Sequence, residues 1–255
     1  MKIMIGLPAW KRPNVLRVHT YYMTKYIIPE LNKRGFQVEY LVVGSSKIER
    51  DVIEKFNNVE FYEMPNILSN KNNHIYNQAK IRNVDFLLWL GSDDFMPLNL
   101  ILTCIKVAHE NGYWASIKNM YMYDSFTKTI KHFVGYLPEH GLVTHGLGAG
   151  RIYTKQALQA LPRDVFGYNK MSGMDGCLKL ELDKFKVPVE NRLIESELNS
   201  TMFSFKTQQN IWSVNDYSPQ ILHTVDFDFN SSNFNWLDDS VKVMFDIINP
   251  KNCIL

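Results

Sequence analysis

Residues 84–95 of the chain read Val-Asp-Phe-Leu-Leu-Trp-Leu-Gly-Ser-Asp-Asp-Phe. The apolar run from Val84 to Leu90 is interrupted only by Asp85, as expected for a strand that helices cover on both faces. Two adjacent carboxylates, Asp93 and Asp94, come just past its carboxyl end. Ligands bind at this edge in open α/β sheets, so the stretch predicts both a fold and the place of a site.

Strands and helices alternate on both sides of this stretch. Before it we predict strands at 2–7, 36–43 and 59–62 and helices at 14–34, 46–56 and 70–83, and after it a helix at 98–110. This alternation predicts an α/β fold, with a mostly parallel sheet flanked by helices. The pattern then breaks into short strands (113–118, 120–126, 129–134), a Gly- and His-rich loop, helices at 154–161 and 175–184, mixed strands and loops over 186–235, and a helix at 237–248. We expect one domain over 1–255, with a regular half at about 1–112 and an irregular, mixed half at about 113–255.

The composition is that of a globular protein. The 255 residues are 45% hydrophobic and 21% charged, which excludes a disordered chain, a coiled coil and a collagen-like repeat. The net charge of +2 is too small to indicate a nucleic-acid binder, although it does not exclude one. Three cysteines without a C-x-x-C pair predict neither a disulfide framework nor a cysteine-rich zinc site. With no secretory signal and no apolar run of membrane-spanning length, we expect a soluble, cytoplasmic protein with no membrane partner.

The acidic pair is the sharpest local feature. Carboxylate oxygens are preferred ligands of Mg²⁺ and Mn²⁺, so Asp93 and Asp94 could hold a divalent cation that bridges to a diphosphate. The alternative is a turn in which one of them caps the helix that begins near Leu98.

A second feature is Pro8-Ala9-Trp10-Lys11-Arg12-Pro13, which follows the first strand and lies at the same predicted edge. Lys11 and Arg12 could meet a phosphate, and Trp10 could stack on a base or a sugar. The alternative is an ordinary loop in which Pro13 sets the start of a helix.

On these two motifs the chain resembles the nucleotide-sugar glycosyltransferases of the GT-A fold, most of all the inverting group called family 2. Its members have a Pro-x-x-x-Arg-Pro turn after strand one, here Pro8–Pro13, and an acidic motif after strand four, here Ser92-Asp93-Asp94. The resemblance covers about residues 2–182 and implies a Rossmann-like sheet. It also implies a UDP-sugar donor bound by Pro8, Trp10, Lys11, Arg12 and Asp93, with Mn²⁺ or Mg²⁺ on Asp94. Residues 41–46, after strand two, lack the acid with which family members bind uracil.

The resemblance extends to three positions in the second half. Asp175 opens a predicted helix, as the catalytic base of the family does, and could instead cap that helix. In His145-Gly146-Leu147-Gly148-Ala149-Gly150-Arg151, Gly150 would approach the donor and Arg151 would pair with its phosphate, unless the segment is a plain flexible loop. His223 is the late histidine that would join the metal. Tyr21, Tyr22, His74 and Trp212 are weaker candidates.

Together these features predict a metal-dependent, inverting glycosyltransferase, whose regular half binds the nucleotide and whose irregular half binds the acceptor. The acceptor hydroxyl could belong to a hydroxymethylated DNA base. The alternatives are a nucleotidyltransferase that makes nucleotide sugars, which usually has a Gly-rich basic loop after strand one, and a non-catalytic module that binds nucleotide sugars.

Overall fold

The computed structural model describes residues 1–207, 218–228 and 231–248. Its strands are β1 (Lys2–Pro8), β2 (Gln37–Gly44), β3 (Val59–Glu63), β4 (Phe86–Trp89), β5 (Asp94–Phe95), β6 (Trp114–Ile117), β7 (Met120–Asp124), β8 (Thr129–Phe133), β9 (Arg151–Thr154), β10 (Leu193–Ile194), β11 (Met202–Lys206) and β12 (Leu222–Thr224). Its α-helices are α1 (Pro13–Tyr22), α2 (Ile28–Lys33), α3 (Lys47–Ile53), α4 (Leu68–Ile81), α5 (Leu98–Asn111), α6 (Lys155–Ala160), α7 (Met174–Asp183) and α8 (Asp239–Ile247).

The main sheet has seven strands in the order β10-β6-β9-β4-β1-β2-β3. Its strands β3, β2, β1 and β4 are parallel, and β9 runs antiparallel between β4 and β6. The order β3-β2-β1-β4 is that of a Rossmann-like sheet. The predicted α/β class with a mostly parallel sheet is therefore confirmed.

A second, mixed sheet of five strands lies in the order β12-β8-β7-β11-β5. Its strand β5 begins at Asp94, the last residue of the acidic motif, and pairs antiparallel with β11. Four of its strands come from the irregular half of the chain, whereas β5 comes from the regular half. The sequence analysis did not predict β5, the pairing of β11, or β9 of the main sheet. Those strands are short, and their partners lie far away along the chain.

Helices cover both faces of the main sheet, and the side chains of β1 point alternately to one face and the other. Ile3, Ile5 and Leu7 join one core with residues of α1, α5 and α8. Met4 points to the opposite face and joins a core with residues of α4, α6 and α7. Alternate residues of a strand point to opposite faces, so burial on both faces explains the apolar sequence of these strands.

The predicted helix over 14–34 is interrupted in the structure. A turn of π-helix at Met23–Ile27 joins α1 to α2. Pro29 has no backbone N–H to bond the carbonyl of Lys25, so a regular α-helical ladder cannot continue through this point. Among the described residues, none of the helices combines the length and the apolar character needed to cross a bilayer.

Candidate functional site

The loops after β1 and β4 lie side by side because these strands are neighbours in the parallel sheet, with Gly6 opposite Trp89. Arg12, from the first loop, is buried against the acidic motif of the second. Its Nη2 donates hydrogen bonds to Asp93 Oδ1 at 3.0 Å and to Ser92 Oγ at 3.1 Å. The structure thus brings together the two motifs that carried the sequence-based hypothesis.

Lys206 completes the charged cluster from the other side. It ends β11, and its Nζ lies 3.1 Å from Asp93 Oδ2. Burial alone would raise the pKa of Asp93, but the charges of Arg12 and Lys206 outweigh it and hold that pKa well below the usual range. Asp93 is therefore an ionised carboxylate between two cations. No local motif marks Lys206 in the sequence, and only the pairing of β11 with β5 brings it here.

Asp94 has a different environment from its neighbour. Its Oδ1 accepts a hydrogen bond from Ser204 Oγ at 2.6 Å, and its Oδ2 accepts one from the backbone N–H of Gly91 at 2.9 Å. Burial, together with the negative charge of Asp93, raises the pKa of Asp94 to about 6. Ionising both carboxylates thus costs free energy unless a further positive charge enters the site.

A buried histidine that sequence reasoning missed fixes the backbone of the acidic motif. His19 Nε2 donates to the carbonyl of Asp94 at 2.9 Å, and its Nδ1 lies 2.9 Å from Tyr40 Oη. Burial lowers the pKa of His19 to about 4, so the ring is neutral at pH 7. Because Nε2 carries the ring proton, Nδ1 accepts from the tyrosine hydroxyl. His19 therefore acts as a positioning residue.

Asp175 lies in the first turn of α7, but it does not cap the helix. The N-cap is Gly173, and no side-chain capping bond is formed there. The carboxylate accepts from the backbone N–H of Gly148 and from Tyr136 Oη, which is 3.5 Å from Oδ2. Burial raises the pKa of Asp175 despite the nearby charge of Arg151. A carboxylate with a raised pKa is a better proton acceptor than an ordinary aspartate.

One cavity of about 450 Å³ joins these groups. Of the residues predicted from the sequence, six line it: Pro8, Trp10, Arg12, Asp93, Asp94 and Asp175. Lys206 and Asn72, which were not predicted as site residues, line it as well. The cavity therefore contains both the Arg12–Asp93–Lys206 cluster and the carboxylate of Asp175.

Among the described residues that line the cavity, the buried side-chain atoms without a hydrogen-bond partner are all donors. Within the described part of the chain, Trp10 Nε1, Arg12 Nε, Arg12 Nη1 and Asn72 Nδ2 are buried and have no acceptor. A buried donor without a partner costs about 1–3 kcal/mol. The cavity consequently suits a ligand rich in acceptor oxygens.

Three other predicted donor contacts lie outside the cavity lining. Lys11 is exposed, with its ammonium 5.2 Å from the centroid of the Trp10 ring, and its backbone N–H donates to the buried carboxylate of Glu49 at 2.8 Å. Gly150 has a φ of +77° and donates its N–H to the carbonyl of Trp89.

Arg151 is fully buried, where it donates to the carbonyl of His145 at 3.1 Å and faces the ring of Trp114. We therefore correct the expected phosphate contact of Arg151, which is a core residue.

The structure does not bring His223 to the acidic pair. His223 is exposed on β12, opposite His132 on β8, whereas Asp94 is on β5 at the other edge of the same sheet. Three strands separate these edges, so the predicted pairing of His223 with Asp94 on one metal is corrected. Of the weaker candidates, Tyr21, Tyr22 and His74 do not line the cavity, and Trp212 lies outside the described residues.

No family model and no curated protein matches the chain. Solved structures with a similar backbone include S. aureus TarS 1–349 in complex with UDP (17% identity, TM-score 0.47, 81% of this chain and 61% of that chain covered). Others are a 4-diphosphocytidyl-2C-methyl-D-erythritol synthase (12%, 0.49, 82% and 95%) and a putative nucleotide-diphospho-sugar transferase from Desulfovibrio desulfuricans G20 (12%, 0.43, 96% and 96%). The chain spans about 60% of the length of the TarS 1–349 structures. Such distant likenesses leave substrate and reaction to be argued from the site.

Proposed function

We propose that this protein is a GT-A-like glycosyltransferase, which transfers a sugar from a nucleotide-diphosphate sugar to an acceptor hydroxyl. The observation that carries the proposal is the shared cavity, in which the Arg12–Asp93–Lys206 cluster and the basic carboxylate of Asp175 occupy one space. Sugar transfer needs both: charge that stabilises a leaving diphosphate, and a base that takes a proton from the acceptor.

The donor binds along the first loop and the acidic motif. The unpaired Nε and Nη1 of Arg12 donate to diphosphate oxygens, and Trp10 offers an indole face and a free N–H beside them. Carboxylate, phosphate and sugar oxygens are the acceptors that satisfy such donors. UDP is the nucleotide that the sequence resemblance implies, and it is the first one to test.

A divalent cation fits this site on charge and donor chemistry. Arg12 and Lys206 carry two positive charges and Asp93 and Asp94 two negative ones, so an incoming diphosphate adds negative charge that no side chain of this cluster offsets. Within the described residues no group of three or more Asp, Glu, His or Cys side chains could hold a metal. Mg²⁺ is typically bound by only one or two carboxylates together with substrate phosphates. Asp94, with Asp93 beside it, would hold Mg²⁺ or Mn²⁺, which supplies Lewis-acid stabilisation of the leaving diphosphate.

Asp175 acts as the general base. Its carboxylate takes the proton of the acceptor hydroxyl while that oxygen bonds to the anomeric carbon, and the bond from this carbon to the diphosphate oxygen breaks. The displacement inverts the anomeric configuration. Gly148 and Tyr136 orient the carboxylate through the hydrogen bonds described above.

The test begins with thermal shift across UDP-, GDP- and dTDP-sugars, with and without Mn²⁺, and continues with release of the nucleotide in the presence of acceptors. Hydroxymethylated DNA is one acceptor arm, and small sugars and alcohols are the others. We expect metal-dependent stabilisation by one donor class and transfer with inversion, read by NMR of the product. Retained configuration would overturn the mechanism. Pyrophosphate release from a nucleoside triphosphate and a sugar phosphate would identify a nucleotidyltransferase, and donor binding without turnover would identify a non-catalytic module.

A further inference from the structure

Asn72 lines the cavity and carries an unused hydrogen-bond donor. It is fully buried on α4, and it lines the cavity beside Trp89. The indole Nε1 of Trp89 donates to Asn72 Oδ1 at 3.1 Å. An indole N–H can only donate, so the amide oxygen must face Trp89 and the amide nitrogen must be the other end. That nitrogen, Nδ2, has no acceptor within the described part of the chain.

The surroundings of Asn72 connect it to the proposed base. Its partner Trp89 packs close to Gly148, because a methyl group on Gly148 would lie 3.0 Å from Trp89 Cζ3. The same methyl group would lie 1.8 Å from Asp175 Oδ1. Trp89 and Gly148 thus link Asn72 to Asp175, and all four residues line the cavity that also contains the charged cluster.

The space between a base and a diphosphate site is where the sugar of a donor must lie. We propose that Asn72 Nδ2 donates a hydrogen bond to an oxygen of the donor sugar, and that this subsite selects sugars with a hydroxyl or carbonyl acceptor at that position. The inference rests on the proposed glycosyltransferase function. A donor that lacks the oxygen leaves Nδ2 buried and unpaired, and sites built to bind a substrate hydroxyl reject analogues without it.

The test compares kcat/KM for a UDP-sugar and for the analogues that lack one hydroxyl or the acetamido carbonyl at each ring position. In wild type, we expect removal of one particular oxygen to lower kcat/KM by at least about tenfold. In Asn72→Asp that selective loss disappears, because the variant keeps the oxygen that accepts from Trp89 but replaces the N–H donor. Binding of UDP alone separates the sugar contact from the nucleotide contact.

Asn73→Asp is the matched control. Asn73 is the next residue of α4 and is also buried, but it does not line the cavity, and its amide is already paired with Gly167 and Phe166. Its substitution affects thermal stability, and we expect it to preserve the preference among donor sugars.

A wild type that accepts every deoxy analogue within about threefold overturns the inference, as does an Asn72→Asp enzyme that keeps the preference. The deoxy series on wild type decides the question of sugar selection even where Asn72→Asp does not fold. Failure of the proposed function looks different, since wild type would then neither hydrolyse nor transfer any nucleotide sugar.

Discussion

Replacing Gly148 with alanine tests whether the position of the Asp175 carboxylate decides the reaction. The added methyl group would lie 1.8 Å from Asp175 Oδ1, and ordinary van der Waals contact begins at 3.4 Å. Gly148 is outside the left-handed region of backbone conformation, so alanine itself causes no strain there. The carboxylate must therefore move by more than an ångström, and a misplacement of ~1 Å costs on the order of 10²-fold in rate.

The assay measures the single-turnover rate of sugar transfer, the affinity for UDP and the melting temperature on one preparation. We expect Gly148→Ala to lower the rate by about 10²-fold while UDP affinity stays close to that of wild type. Gly176→Ala is the control, because its methyl group meets nothing within 4 Å and lies in the same helix as Asp175. Alanine in place of a helical glycine should raise the free energy of unfolding by about 1 kcal/mol. Equal rates for Gly148→Ala and wild type would refute the assignment of Asp175, and an equal loss in Gly176→Ala would refute the geometric explanation.

Four further results are expected. Asp175→Asn should bind donor normally and lose on the order of 10²–10⁴ in transfer rate, measured by single turnover. Burial raises the pKa of Asp175, and only its ionised form accepts a proton. The wild-type transfer rate should therefore fall as pH falls through a value above the ordinary aspartate range. A transfer rate that does not change with pH would exclude Asp175 as the general base. Lys206→Met removes one cation from the buried Asp93 and should lower the free energy of unfolding by about 3 kcal/mol and raise the donor KM; an unchanged denaturation midpoint and KM would contradict this. Chelation by EDTA should abolish transfer, and added Mn²⁺ should restore it in wild type but not in Asp94→Ala. Full turnover of that variant in EDTA would show that transfer does not require the metal.

Much of the regular half could be predicted from the sequence. The strands β1 to β4 and the helices between them lie within a few residues of the predicted ranges, because hydrophobic periodicity and turn residues are local signals. The sequence pattern predicted a continuous helix across Met23–Ile27, although Pro29 is a local signal for the interruption. The edge where the first loop and the acidic motif meet also followed from strand order, since parallel neighbours end at the same side of a sheet.

The sequence by itself determined the α/β class, the two loops at the carboxyl edge, and the candidacy of Arg12, Asp93 and Asp175. Tertiary structure alone decided which side chains share the cavity: it added Lys206 and Asn72, buried Arg151 in the core, and left His223 at the far edge of the second sheet. The physical reason is the range of the contacts. Periodicity and capping act over a few residues, whereas the pairing of β11 with β5 joins positions more than a hundred residues apart, and no local pattern encodes that partner.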